Sequence, residues 1–419
     1  MNEPRKLSSY AWLVVGLLWP VALLNYLDRQ MIAAMKVSVM GDIRDIGSDA
    51  NWGYMLGQFK WVYAILSPIG GYIADRFSRK FTICASLFAW SVITFITGHV
   101  TSYHGLLWTR TAMGISEAFY IPAALALIAD YHFGNTRSRA TGLHQIGIYC
   151  GVIVGGFAGH VADAPALGWR FAFNITGVVG ILYAPVLLFL LRDAPRQNQL
   201  TAGNTGPRAF PAFLELFNNR SFILLVLYFT LPALAGWIFR DWMPAILLKS
   251  FKISQGVAGV SSALYVQIAS IIAAIAGGWL ADRWMQRTPR GRIYVSAIGT
   301  ALLIPALFGV GTSAQLNSFG LAIAALVLFG IGWGFFDTNN MPILSQITRP
   351  ELRASGYGLM NFVSISCGGF ADWGFGHLQD HHVPLNAIFG VFATLCVISV
   401  VLVLLIRPRS NLESTNRTP

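Results

Sequence analysis

Gly71-Tyr-Ile-Ala-Asp75-Arg76-Phe-Ser-Arg79-Lys80 and Gly278-Trp-Leu-Ala-Asp282-Arg283-Trp-Met-Gln-Arg287 spell nearly the same phrase, about two hundred residues apart. Each closes a long apolar run, where a chain crossing a bilayer would emerge. A glycine, an Asp-Arg pair and further cations make a tight exit from helix to loop. The carboxylate suits the positive N-terminal end of a neighbouring helix, and the cations suit the cytoplasmic leaflet. A duplicated exit implies a chain built as two related halves. Gly71, Asp75, Arg76 and Arg79, with Gly278, Asp282 and Arg283 as their counterparts, are expected to act in conformational gating.

The composition is that of a membrane protein. Of 419 residues, 55% are hydrophobic and 11% charged, too few charges to cover a soluble domain. With about 20 apolar residues per crossing, the sequence predicts twelve spans. They cover 11–39, 51–75, 81–100, 104–131, 138–162, 170–191, 222–248, 256–282, 292–312, 318–347, 353–377 and 385–406. The expected fold is all-α and integral to the membrane, with two pseudo-symmetric six-helix bundles over 1–192 and 220–407. Residues 193–219, rich in Pro, Gly, Asn and Gln, read as a cytoplasmic linker, and 408–419 as a disordered cytoplasmic tail.

Position explains the net charge of +11. Arg5 and Lys6 precede span one, while Arg76, Arg79 and Lys80 follow span two. Arg137 and Arg139 follow span four, Arg283, Arg287, Arg290 and Arg292 follow span eight, and Arg407 and Arg409 follow span twelve. The opposite loops hold Arg44, Lys249 and Lys252 with little else. This pattern puts both termini in the cytoplasm, in a multi-pass protein of the inner membrane, and makes the basic charge a topology signal rather than a nucleic-acid footprint. Cys84, Cys150, Cys367 and Cys396 all fall inside predicted spans without a CxxC partner, so no metal site or disulfide is indicated. Gly-x-x-x-x-Gly-Lys-Ser/Thr, Gly-x-Ser-x-Gly and His-Glu-x-x-His are absent. No enzyme and no cofactor is expected, and active transport would draw on an ion gradient.

The internal repeat extends further. Arg139-Ala-Thr-Gly142 matches Arg353-Ala-Ser-Gly356, and Glu117 with Pro122 matches Asp337 with Pro342 at the same spacing. Duplicated halves are how many secondary transporters are built, with substrate held near the midplane. On these motifs the chain resembles the major facilitator superfamily, whose loop between spans two and three carries GxxxDRxxRK. Gly151-Val-Ile-Val-Gly155-Gly156-Phe-Ala-Gly159 is similar to that superfamily's glycine-rich fifth helix. Such glycines permit close helix approach, read either as a sliding contact or as plain packing. Asn25-Tyr26-Leu27-Asp28-Arg29, Arg110-Thr-Ala-Met-Gly114-Ile-Ser-Glu117-Ala and Gly168-Trp169-Arg170-Phe-Ala-Phe resemble the anion:cation symporters, which include hexuronate and sugar-acid carriers. The Spinster-like family shares the elements in spans one and four. The resemblance implies alternating access by a monomer, with acids of spans one and four in proton coupling.

Charges inside the bilayer cost about 2.5–3.5 kcal/mol each on insertion scales, so each needs a reason. Arg29 reads as the holder of a substrate carboxylate, and Asp28 and Glu117 as proton carriers; the alternative is an ion network that only ties helices together. Arg110 and Glu117 stand seven apart on one face of span four, so Arg110 is a candidate salt-bridge partner for Glu117 or Asp28. Lys60 reads either as a lone amine attracting anions or as one snorkelling outward, with Tyr63 a candidate polyol contact. Arg240 precedes Asp241 and Pro244 and reads as a source of positive potential or as the partner of Asp241. In span ten, Asp337-Thr338-Asn339-Asn340 is polar enough to meet hydroxyls or to glue helices. Gln145 beside His144, and Asn361 with Ser364, complete the candidate substrate contacts.

These residues point to proton-coupled symport of a small organic anion, a sugar acid such as a hexuronate or a related carboxylate, with membrane lipid as the only other partner. The alternatives are a Spinster-like lipid or neutral-sugar carrier, and a membrane sensor on a transporter fold.

Overall fold

The computed structural model describes residues 9–132, 135–194, 209–349 and 352–408, with backbone alone for 71–75, 135 and 209–213. Linker residues 195–208, tail residues 409–419 and the side chain of Asp75 lie outside the described residues. Every described element is helical. Ten stretches are long and apolar enough to cross a membrane: Ser9–Ala34, Arg79–Thr97, Tyr103–Tyr131, Thr136–Asp163, Gly168–Leu190, Arg220–Asp241, Gln255–Met285, Gly291–Gln315, Phe319–Ile347 and Leu385–Leu405. They are spans one, three to ten and twelve. Spans two and eleven, Asp49–Arg76 and Arg353–Asp380, have 28 residues each. At 1.5 Å per residue either exceeds the ~30 Å hydrocarbon core, but both are more polar. They carry Lys60 and Asp372.

Prolines shape three spans at related places. Span four runs as Tyr103–Glu117 and then Tyr120–Tyr131. Span ten runs as Phe319–Asp337 and then Asn340–Ile347. The break falls directly after the acid each time. Pro122 and Pro342 offer no N–H to the carbonyl four residues back, and their rings clash with it, so the helix stops at Glu117 and Asp337. Span seven stops at Asp241 and resumes as Met243–Phe251, with Pro244 tolerated in the first turn. The carbonyl that Pro244 cannot serve is that of Arg240. Gln30 Nε2 donates to it at 3.2 Å.

The chain forms two compact units. The first comprises the described part of Met1–Asn198 with Arg240–Ala263 and Asp372–Asp380, and so draws on both sequence halves; the second holds the described part of the remainder. In the first, Val14, Leu18, Val21, Leu87, Trp90, Tyr120 and Leu127 form the core. In the second, Phe222, Leu225, Tyr228, Phe336, Ile343 and Leu344 do so. Large apolar side chains such as Phe189 and Ile275 remain exposed, as helices facing lipid require.

One end of the first unit carries the 43–48 and 252–254 connections, which the loop charges assign to the outside; it is termed the outer end. Here the glycines of span five work on two faces. A Cβ at Gly151 or Gly155 would meet the carbonyl oxygens of Leu23 or Leu27 in span one, at 2.3 and 2.8 Å. A Cβ at Gly156 would meet the Gly259 carbonyl oxygen of span eight at 2.6 Å. Gly156→Leu should therefore cost about 1–3 kcal/mol as overpacking, lowering the thermal midpoint, and should hold the outer end apart. Gly142→Ala, where a Cβ meets nothing within 4 Å, should leave the melting curve unmoved.

Two aspartates cap helices across this end. Asp163, closing span five, accepts from Gly256 N at 2.8 Å at the start of span eight. Asp380, closing span eleven, accepts from Asp49 N and Ala50 N at 2.8 and 2.9 Å at the start of span two. These first-turn N–H groups have no partner within their own helices, and a carboxylate there satisfies both donor and dipole. Spans five and eleven are repeat counterparts, so the caps are a related pair.

Candidate functional site

The break in span four places Glu117 at a helix end in the interior of the first unit. Span one passes beside it, and Arg29 Nε donates to Glu117 Oε2 at 2.6 Å. Glu117 thus bonds to a cation on another span rather than to Arg110, two turns away on its own helix. The Arg29 guanidinium is sandwiched by rings: Tyr26, Phe59 and Tyr63 have centroids 4.9, 5.0 and 4.6 Å away. Such faces attract a cation while excluding water. Arg240 lies on the other side of this cluster, 4.8 Å over the Tyr26 ring, with Asp241 among its electrostatic neighbours.

Hydrogen-bonding capacity remains unspent here. Arg29 Nη2, Arg110 Nε and Nη2, Asp28 Oδ1, Glu117 Oε1 and both amide atoms of Asn25 are buried without a hydrogen-bond partner. Buried polar groups normally have one, and a guanidinium N–H left bare costs about 1–3 kcal/mol or more. The guanidiniums of Arg29 and Arg110 face the carboxylates of Asp28 and Glu117, and that of Arg240 faces Asp241 as well as Glu117.

Asp28 has a particular neighbour. Thr94 Oγ1 lies 2.9 Å from Asp28 Oδ2 and 2.9 Å from the Trp90 carbonyl oxygen. A hydroxyl has one hydrogen to give. With Asp28 ionised, Thr94 donates to the carboxylate; with Asp28 protonated, the acid donates to Thr94 and Thr94 donates to Trp90. In both protonation states Asp28 Oδ2 and the Thr94 hydroxyl are hydrogen-bonded. His144 instead meets Tyr120 Oη at 2.9 Å, and Tyr120 donates to the Leu18 carbonyl at 3.2 Å. That is a packed structural pair.

Lys60 is not a lone amine. Its Nζ is hydrogen-bonded and ion-paired to both Asp241 and Asp372. Snorkelling is excluded by its burial, with side-chain exposure of 4%. Gln145 lies half-buried in span five of the same unit.

The remaining candidates belong to the second unit. Asp337 stands exposed at the break in span ten. Asn339 is buried and donates to the Phe335 carbonyl at 3.1 Å, one turn back. Asn340 lies near the Asp337 carboxylate, yet both its amide atoms are buried without a partner of ordinary geometry. Asn361 donates to the Tyr357 carbonyl at 3.1 Å, and Ser364 is buried. Among the exit motifs, Arg79 is paired with Asp130. Arg292 reaches Asp282 at 3.3 Å, and Arg283 lies 5.7 Å from the Trp279 ring. Arg76 is exposed, and a Cβ at Gly278 would make an ordinary contact, 3.9 Å from Thr338 Oγ1.

The profile of the Major Facilitator Superfamily matches residues 18–371. The chain belongs to that superfamily. It is 28% identical to protein spinster of Drosophila melanogaster over 385 residues, 87% of this chain and 62% of the relative. The chain thus spans less than two-thirds of that protein's length. An MFS-type efflux pump of Mycolicibacterium smegmatis is 27% identical, with 90% of this chain and 86% of the pump covered. In fold, the chain is similar to a bacterial homologue of the human lysosomal transporter Spinster in an inward-facing, occupied conformation, with a TM-score of 0.80 at 20% identity, covering 95% and 97% of the two chains. It is also similar to a D-xylose-proton symporter, with a TM-score of 0.78 at 17% identity, covering 96% and 98%. The Spinster likeness read in spans one and four is the subfamily resemblance that these relatives bear out.

Sequence reasoning missed Asp372 in this superfamily member, along with Thr94, Phe59 and the two capping aspartates. An aspartate in the generally apolar span eleven was a signal of the same kind as Asp28.

Proposed function

We propose that this superfamily member is a proton-coupled carrier of an organic anion, a sugar acid or related carboxylate, working by alternating access as a monomer in the inner membrane with both termini cytoplasmic. The observation that carries the reading is the buried surplus of guanidinium N–H groups at Arg29 and Arg110 beside two carboxylates. A substrate carboxylate supplies the missing acceptors. It also competes with Glu117 for Arg29. When Glu117 takes a proton, its hold on Arg29 weakens and the guanidinium turns to the substrate. A proton and a monoanion together add no net charge to the buried site, so the loaded carrier reorients at no extra desolvation cost. Asp28 with Thr94 offers a second place where a proton is held in a hydrogen bond. Asn339, Asn340, Asn361, Ser364 and Gln145 remain the proposed contacts to hydroxyls.

Uptake into proteoliposomes tests this, with a panel of sugar acids, other carboxylates and neutral sugars, with and without an inward proton gradient. Accumulation of a carboxylated substrate only with the gradient is expected. Neutral sugars alone, or no gradient dependence, would mean that the buried charges are structural. A second reading, a Spinster-like lipid carrier, is favoured by the rings of Tyr26, Phe59 and Tyr63 around Arg29, which suit an amphipathic anion. Competition of lysophospholipid against the carboxylate panel separates the two.

A further inference from the structure

We propose that the second unit binds an anionic phospholipid where span seven begins and span twelve closes, with the phosphate held by Arg220 and Arg407 and the acyl chains laid against the two spans.

The charge at this end carries the proposal. Arg220 opens span seven and Arg407 follows span twelve, and both are exposed. The two ends are tied together: Ser221 Oγ donates to the Arg407 carbonyl at 3.3 Å and accepts from Arg407 N at 3.4 Å. The two guanidiniums therefore leave the backbone at one place. Among the described residues, neither guanidinium has a hydrogen bond or an ion pair. A third cation is fixed beside them. Arg290 Nη2 donates to the Leu404 and Ile406 carbonyls at 3.1 and 3.2 Å, which brings its guanidinium to the end of span twelve. Glu215 and Asp282 are each committed to another arginine, Glu215 Oε1 to Arg349 Nε at 3.0 Å and Asp282 to Arg292 at 3.3 Å. A phosphodiester supplies the absent acceptors, since guanidiniums bind phosphate oxygens by charge-assisted, paired hydrogen bonds.

The same two spans accommodate the apolar part of the ligand. Ile223 and Leu227 on span seven, and Val401 and Leu405 on span twelve, are exposed. Each pair is four residues apart and so shares one helix face, within two turns of the arginines. At the head of span seven the short helix Ala209–Asn218 adds exposed Leu214 and Phe217, while its Leu216 is buried in the core. Asn219 holds the junction in place, Nδ2 donating to the Ile347 carbonyl at 3.0 Å. A helix with an apolar face turned outward beside a bilayer sits in the headgroup boundary.

An acidic soluble partner would satisfy the arginines but leave the apolar faces in water, whereas a lipid covers both. A zwitterionic headgroup would bring a further cation to the cluster, which selects an anionic one. On the topology proposed above, the lipid belongs to the cytoplasmic leaflet, where anionic headgroups attract basic segments. The site itself is independent of which substrate is carried.

The test is native mass spectrometry of the full chain, released from detergent micelles holding equal amounts of phosphatidylglycerol and phosphatidylcholine with the same acyl chains. Retention of one phosphatidylglycerol in preference to phosphatidylcholine is expected. Arg220→Gln or Arg407→Gln alone should lower that preference about fivefold, and the two together should bring it towards parity. The single variants serve if the double one fails to fold. Arg220→Lys with Arg407→Lys keeps the charges and should keep the preference, and Arg44→Gln, at an exposed outer position of the first unit, should leave it unchanged. Equal retention of the two lipids overturns the proposal, as does a preference unchanged in the folded Gln variants. So does displacement of the lipid by glycerol phosphate at equal concentration, which would make this a site for free anions. The lipid count needs no substrate and no gradient, so a failure of the coupling reading is told apart from a failure of this one.

Discussion

Glu117→Gln should abolish gradient-driven accumulation while vesicles still exchange labelled for unlabelled substrate. With one proton moved per substrate, each pH unit of gradient sustains about tenfold accumulation, the equivalent of 1.36 kcal/mol. The amide carries no proton across, so the ratio should fall to about one. Exchange survives because the amide oxygen still accepts from Arg29, which removes the charge without emptying the place at the break in span four. The outcome is a split between two assays on one preparation, which misfolding does not produce. Undiminished accumulation would move the coupling proton elsewhere, with Asp28 and its Thr94 relay the next group to substitute.

The repeat was legible because a duplicated Gly-x-x-x-Asp-Arg exit and a duplicated acid-to-proline spacing are local patterns. Local rules also carry into the structure where they are backbone rules: Pro122, Pro342 and Pro244 each stop a helix where their missing N–H dictates. What sequence could not supply was which side chain meets which across spans. Spacing put Arg110 and Glu117 on one helix face, and that is correct as geometry. The ion pair nevertheless forms with Arg29 of span one, because pairing is settled by how spans one and four pack. Lys60 read as lone for the same reason. Its two partners are about 180 and 310 residues away in sequence, and no periodicity joins them. Asp163 and Asp380 were illegible in another way. An acid at a helix end is ordinarily a solvated residue, and only the fold brings each against another helix's first turn.

Arg29→Ala should be the most damaging single change in the first unit, for two separable reasons. It removes the cation hydrogen-bonded to the fully buried Glu117 carboxylate, and breaking a buried pair from one side costs about 3–5 kcal/mol. It also removes the fork that would hold the substrate carboxylate, and leaves the Tyr26, Phe59 and Tyr63 rings facing a gap. The double variant Arg29→Ala with Glu117→Gln separates the two. With no stranded carboxylate, most of the lost thermal stability should return, whereas substrate binding and exchange should stay at background. Arg29→Lys should fall between, keeping the charge but not the planar donor pair that stacks against rings and bridges two oxygens. If the double variant recovered exchange together with stability, Arg29 would be a strut for Glu117 alone. The anion would then have to be held by Arg110, whose Nε and Nη2 are also buried donors without a partner.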